Sequence, residues 1–66
     1  MTPSQLKELT LIQKGINRLT KRLRKVHAEV KTEIGSTPES RKLYYMAQDL
    51  GSVSGQIGNI IENNEG

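Results

Sequence analysis

Residues that could perform chemistry are few in this sequence, and they are not grouped. Histidine occurs once, as His27, and cysteine is absent, so thiolate nucleophiles and thiolate metal ligands are excluded. A catalytic set needs a nucleophile, acid or base beside a group that orients it. Glu29 and Glu33 are instead ordinary flanking residues of a helix, Glu33 at a position that can set register. We therefore expect no enzyme, no metal, no cofactor and no small-molecule substrate.

The cations form a more distinct pattern. Residues 1–35 carry eight Lys or Arg against three Glu, a balance of +5, whereas residues 36–66 have a balance of −2. Seven cations, and no acidic residue, fall on the outward positions of the first helix proposed below: Lys7, Lys14, Arg18, Lys21, Arg24, Lys25 and Lys31. A stripe of one sign attracts polyanions. It predicts a face for an anionic partner, either nucleic acid or an acidic protein or lipid surface; the alternative is an ordinary solvated helix face.

Two helix starts and one helix end can be recognised. Residues 2–5, Thr-Pro-Ser-Gln, place Thr at the N-cap, Pro at N1 and Gln at N3. Gly35 is suited to the left-handed position that follows a helix, and residues 36–39, Ser-Thr-Pro-Glu, offer a second hydroxyl cap. We predict one domain, 1–66, with helix 1 at about 3–34, a loop at 35–37, helix 2 at about 38–62 and a frayed tail at 63–66.

Apolar residues in both segments recur at alternating spacings of three and four, which is the heptad pattern of a helix–helix seam. The predicted seam comprises Leu9, Ile12, Ile16, Leu19, Leu23, Val26, Val30, Leu43, Met46, Leu50, Val53, Ile57 and Ile60. A loop of about three residues makes the helices antiparallel neighbours. The fold class is therefore all-α: a coiled-coil-like two-helix hairpin. Because 66 residues bury little surface and no disulfide is available, we expect a homodimer that forms a four-helix bundle.

Three glycines interrupt the second helix. Gly51, Gly55 and Gly58 cost roughly 1 kcal/mol each relative to Ala in a helix interior. They also share one helix face, which predicts a strip where a partner helix can approach closely. A break at Gly51, with a short third helix after it, is the alternative. We favour a continuous helix because the seam keeps its register through Gly51.

The aromatic residues are Tyr44 and Tyr45, which the pattern places on the second helix near the loop. They are suited to stacking on nucleic acid bases, but packing or an interface is the favoured interpretation. No apolar stretch approaches the roughly 18 residues that span a bilayer, and the N-terminus does not resemble a secretory signal. We therefore expect a cytoplasmic protein without a membrane span.

The predicted architecture is similar to two kinds of small hairpin. The Rop-type RNA-binding hairpins of plasmids have nearly this length and dimerise into a four-helix bundle. The small sporulation aspartyl-phosphate phosphatases are also antiparallel hairpins, but their Ser-Gln-Glu-Leu-Asp motif is replaced here by Tyr-Tyr-Met-Ala-Gln at residues 44–48. Both similarities are of fold, which does not determine function. We expect a small regulatory or adaptor protein that dimerises and binds another macromolecule, with a protein as the favoured partner. The alternative is an RNA- or DNA-binding four-helix bundle that uses the basic outer face.

Overall fold

A computed structural model describes residues 1–65 and contains two α-helices. Helix α1 spans Pro3–Ile34 and helix α2 spans Pro38–Glu65, and they pack against each other as a hairpin. The Cα atoms extend over 47 × 14 × 13 Å, so the molecule is a rod two helices wide. The predicted all-α hairpin is confirmed.

Each helix begins with a reciprocal pair of hydrogen bonds. At α1, the backbone N–H of Gln5 donates to the Thr2 hydroxyl over 3.1 Å, and the Thr2 N–H donates to the Gln5 side chain over 2.9 Å. At α2, the Ser40 N–H donates to the Thr37 hydroxyl over 3.2 Å, and the Thr37 N–H donates to the Ser40 hydroxyl over 2.9 Å. These bonds satisfy backbone donors that have no partner within the helix.

The turn depends on Gly35. This residue has φ +78°, and its N–H donates to the Lys31 carbonyl over 2.9 Å, which closes α1. Residues other than glycine rarely adopt such a positive φ. Two further residues then lead to Pro38, the first residue of α2.

Helix α2 is unbroken. It continues through Gly51, Gly55 and Gly58, so the structure contains no third helix within residues 1–65. It also continues past the predicted end at about residue 62 as far as Glu65. The Asn64 side chain donates to the Ile60 carbonyl over 2.8 Å in this last turn. The final residue of the predicted tail, Gly66, lies outside the described residues.

Small side chains lie at the centre of the contact between the helices. The buried residues of the described chain are Thr20, Ser40, Ala47 and Ser54. The buried hydroxyls have hydrogen-bond acceptors. The Thr20 hydroxyl donates to the Ile16 carbonyl over 2.8 Å, and the Ser54 hydroxyl donates to the Asn17 side chain over 2.7 Å. Small residues let helix backbones approach closely, but they bury little apolar area, so they leave the larger apolar side chains at the margins of the contact.

The register of the hairpin follows a simple rule. Residues that face each other have numbers that add to 71, as Gln13 and Gly58 do, Asn17 and Ser54, and His27 and Tyr44. The rule expresses an antiparallel pair that turns around residues 35 and 36.

Candidate functional site

One side of the hairpin is an exposed apolar face. Six residues of the predicted seam keep 43–53% of their surface accessible: Ile12, Leu19, Val26, Met46, Val53 and Ile60. On each helix these residues are seven apart, which is two turns, so they form one stripe on α1 and one on α2. The other seven seam residues, Leu9, Ile16, Leu23, Val30, Leu43, Leu50 and Ile57, are half-buried.

A shallow groove of about 310 Å³ lies beside the α1 stripe. Its lining is made by Leu19, Arg22, Leu23, Val26 and Leu50. Both helices therefore contribute to this groove, α2 through Leu50. The predicted seam therefore separates into two parallel rows along each helix. The half-buried row faces the other helix of the hairpin, and the exposed row faces outward.

The predicted basic face is fully accessible. Its seven cations, from Lys7 to Lys31, are all exposed. Leu11, which lies among them on the outward side of α1, is 52% exposed. The geometry permits contact with a large anionic surface along most of α1.

The glycine strip has unequal surroundings. A Cβ atom added at Gly58 would stand 2.8 Å from the side-chain nitrogen of Gln13, whereas Gly51 and Gly55 have no described neighbour within 4 Å of that position. Gln13 uses this space to donate to the Ser54 carbonyl over 3.1 Å. Within the hairpin, close approach therefore concerns Gly58 alone, and a partner helix against Gly51 and Gly55 stays a prediction.

A cluster of aromatic and cationic residues lies at the loop end of the rod; we call it the loop-end cluster. The His27 and Tyr44 ring centroids are 5.7 Å apart, and the Tyr44 and Tyr45 centroids are also 5.7 Å apart with the ring planes at 72°. Two adjoining cavities of about 310 and 210 Å³ share His27 and Tyr44. Their cationic lining is Arg24, Lys31 and Arg41.

This cluster was not predicted from the sequence as a unit. Tyr44 and Tyr45 were placed near the loop, and Arg24 and Lys31 on the basic face, but His27 and Arg41 were assigned to neither. The missing information was the register between the helices. Counting an equal number of residues in both directions from Gly35 places His27 opposite Tyr44 to within one position. The short loop length in the sequence was therefore enough to predict this pairing.

Other kinds of site find little support in the described residues. Within residues 1–65, no three His, Cys, Asp or Glu side chains are placed so that they could hold a metal ion. Neither α1 nor the described part of α2 is long and apolar enough to cross a membrane. Comparisons of the chain with protein families, with curated proteins and with solved structures found no match, so its function has to be argued from its own residues.

Proposed function

We propose that this chain is a non-enzymatic interaction protein of the regulatory or adaptor kind, and that it pairs with a second copy through the apolar face. The observation that carries the proposal is the double stripe of six half-exposed apolar side chains. Large contiguous apolar surfaces on small proteins mark interaction sites. In the paired form the outward surfaces remain free for another macromolecule, for which we favour a protein.

The surface area of the hairpin supports this proposal. Its accessible surface is 5163 Å², whereas a compact monomer of this mass is expected to expose about 4,200 Å². The excess is comparable to the ~800 Å² that each partner buries in an interface of standard size. One copy of the hairpin therefore leaves uncovered about as much surface as a dimer interface requires.

The spacing of the stripes favours a second copy as the occupant. Knobs-into-holes packing requires a heptad repeat on each participating helix, and the exposed residues keep a seven-residue spacing from Ile12 to Val26 on α1 and from Met46 to Ile60 on α2. A matching partner must present two helices of similar length with the same repeat. A second hairpin does so, and two-fold symmetry makes one surface complementary to itself.

Sedimentation at micromolar concentration tests the proposal. We expect a species of twice 7.4 kDa. Val53→Lys should shift it towards the monomer, because the pairing would bury an unpaired charge. Asn59→Lys adds the same charge to α2 at an exposed position that lies about 120° around the helix from the stripe, and it should leave the mass unchanged. A stable, monodisperse monomer of the parent chain would contradict the proposal.

A second candidate function is binding of nucleic acid through the basic outer face of α1. The observation that favours it is that all seven cations are exposed. Changing Lys21, Arg24 and Lys25 together to Gln should weaken binding to nucleic acid and flatten its salt dependence, because fewer counterions are released. Stability should change by only about 0.5 kcal/mol per site, as for most surface substitutions. Unaltered affinity and salt slope would discard this candidate.

A further inference from the structure

We infer that the loop-end cluster binds single-stranded nucleic acid, with bases stacked on Tyr44 and Tyr45 and phosphates paired with Arg24, Lys31 and Arg41. The inference rests on the second candidate function and narrows it to one type of strand and one site. That site is built by both helices, whereas the basic outer face, with which it shares Arg24 and Lys31, belongs to α1 alone.

The tyrosine rings are accessible and held in position. Tyr44 is 48% exposed and Tyr45 is 61% exposed. The Tyr44 ring lies near the rings of both His27 and Tyr45, at inclined angles, and its hydroxyl accepts a hydrogen bond from Gln48 over 3.0 Å. Because the Tyr44 and Tyr45 planes are steeply inclined to each other, one base cannot stack on both. Two successive bases of an unpaired strand can each take one ring.

The charged residues that line the two cavities are of one sign. Three cations line the two cavities, two from α1 and one from α2, and no carboxylate is among the described lining residues. Cations beside aromatic rings match the alternation of phosphate and base along a strand. An acidic peptide would pair with the cations but leave the rings unused. A duplex would present phosphates while keeping its base faces stacked inside.

The Tyr44 side of the loop-end cluster lies away from the apolar face. Tyr44 precedes Val53 by nine residues, which is two and a half helical turns, so the two lie on opposite sides of α2. The cavity beside Tyr44 and the groove beside Leu19 likewise have no lining residue in common. A dimer formed through the apolar face would carry two such sites.

Fluorescence anisotropy with labelled oligonucleotides tests the inference. The probes are short oligouridylate, oligothymidylate and a duplex of the same length, with polyglutamate as a competitor. We expect the single strands to bind more tightly than the duplex, and polyglutamate to compete weakly. The first two probes distinguish RNA from DNA. Tyr44→Leu with Tyr45→Leu should weaken single-strand binding about tenfold or more, because each base that loses its tyrosine ring loses the free energy of stacking.

Matched variants separate stacking from folding and from charge. Tyr44→Phe with Tyr45→Phe keeps both rings and should bind nearly as the parent does, and helicity measured by circular dichroism should be equal in all variants. If the leucine pair binds normally while Lys21→Gln with Lys25→Gln weakens binding, the outer face is the site and the inference is overturned, although nucleic-acid binding survives. Equal affinity for the duplex, or full competition by polyglutamate, also overturns it. No binding of any oligonucleotide at low salt overturns both.

Discussion

Gly55 and Gly58 lie on the same face of α2, yet the side chains around them differ. Gly58 leaves room for the amide of Gln13, which bonds to the Ser54 carbonyl, whereas Gly55 has open space among the described residues. At residue 58, glycine is therefore favoured because a side chain would collide with the Gln13 amide. At Gly55 the hairpin alone provides no reason for it.

Gly55→Ala should stabilise the protein by about 0.5–1 kcal/mol, because alanine has the higher helix propensity and nothing in the hairpin obstructs it. Gly58→Ala gains the same helix propensity but displaces the Gln13 amide. Loss of the Gln13 hydrogen bond costs about 0.5–1.5 kcal/mol, which offsets that gain. We therefore expect little or no net gain. Urea denaturation of the two variants measures the difference.

Gly55→Ala and Gly51→Ala together test the glycine strip as a surface for a partner helix. If another helix packs closely against Gly51 and Gly55, a methyl group at either position disturbs that contact. Gly55→Ala would then be destabilising, with Gly51→Ala behaving likewise. Stabilisation by both substitutions would leave the strip without a packing role.

At the scale of elements, α2 begins in a rigid bonded turn. Thr37 and Ser40 exchange hydrogen bonds, and the Ser40 hydroxyl also donates to the Thr37 carbonyl over 2.9 Å while being nearly fully buried. This turn fixes the direction in which α2 leaves the loop. It therefore positions Tyr44, less than two turns later, against His27.

Thr37→Ala removes the acceptor for the Ser40 N–H and should cost about 0.5–2 kcal/mol of stability, the range for loss of an N-cap side chain. Ser36→Ala is the control, because Ser36 is an exposed neighbour with a hydroxyl of its own. Thermal denaturation of both variants provides the comparison. An equal effect of the two substitutions would show that the cap is unimportant.

The sequence predicted the elements well because the signals involved are local. The caps at Thr2 and Thr37 and the positive-φ Gly35 each act within one turn of helix, although Gly35 has φ +78° and ψ −162° in place of the predicted left-handed helical conformation. The heptad pattern identified the apolar side of each helix. The absence of a break at Gly51 followed from continuity of that pattern. Helix α2 nevertheless runs further than predicted, since the polar residues Asn63 and Asn64 remain compatible with a helix.

The line of contact between the helices could not be predicted in the same way. A heptad stripe shows which residues avoid water, but not which half of the stripe meets the other helix of the same chain. The small polar residues Thr20 and Ser54 are buried along the contact, and their hydroxyls are satisfied within α1 or across the pair. Such residues have weak apolar signals. The loop-end cluster depends on the same register and was missed for the same reason.

As a whole molecule, the hairpin has two unlike sides. The exposed apolar stripes lie on one side, and Gln13, Asn17 and the loop-end cluster on the other. Among the described residues the only buried apolar side chain is Ala47. A core of this kind contributes little hydrophobic stabilisation, which is roughly 25 cal/mol per Å² of apolar surface buried. Folding of the hairpin and covering of the apolar face are therefore expected to be coupled.

Two leucines on α1 provide the sharpest test of this coupling. Leu11 is 52% exposed and Leu19 is 53% exposed, so in a lone hairpin their truncation would have similar, small effects. Only Leu19 belongs to the apolar face. If pairing buries it, Leu19→Ala should cost about 2–5 kcal/mol, as for a buried leucine, whereas Leu11→Ala should stay within about 0.5 kcal/mol.

Denaturation at several protein concentrations measures both effects. For a dimer whose folding is coupled to association, the melting midpoint of the parent rises with concentration, because mass action favours the paired state. Leu19→Ala should lower the midpoint most at low concentration, and Leu11→Ala should follow the parent curve. A midpoint independent of concentration, together with equal effects of the two substitutions, would mean that the apolar face stays uncovered. Stability would then have to come from the half-buried residues, among which Leu23→Ala would become the most damaging change.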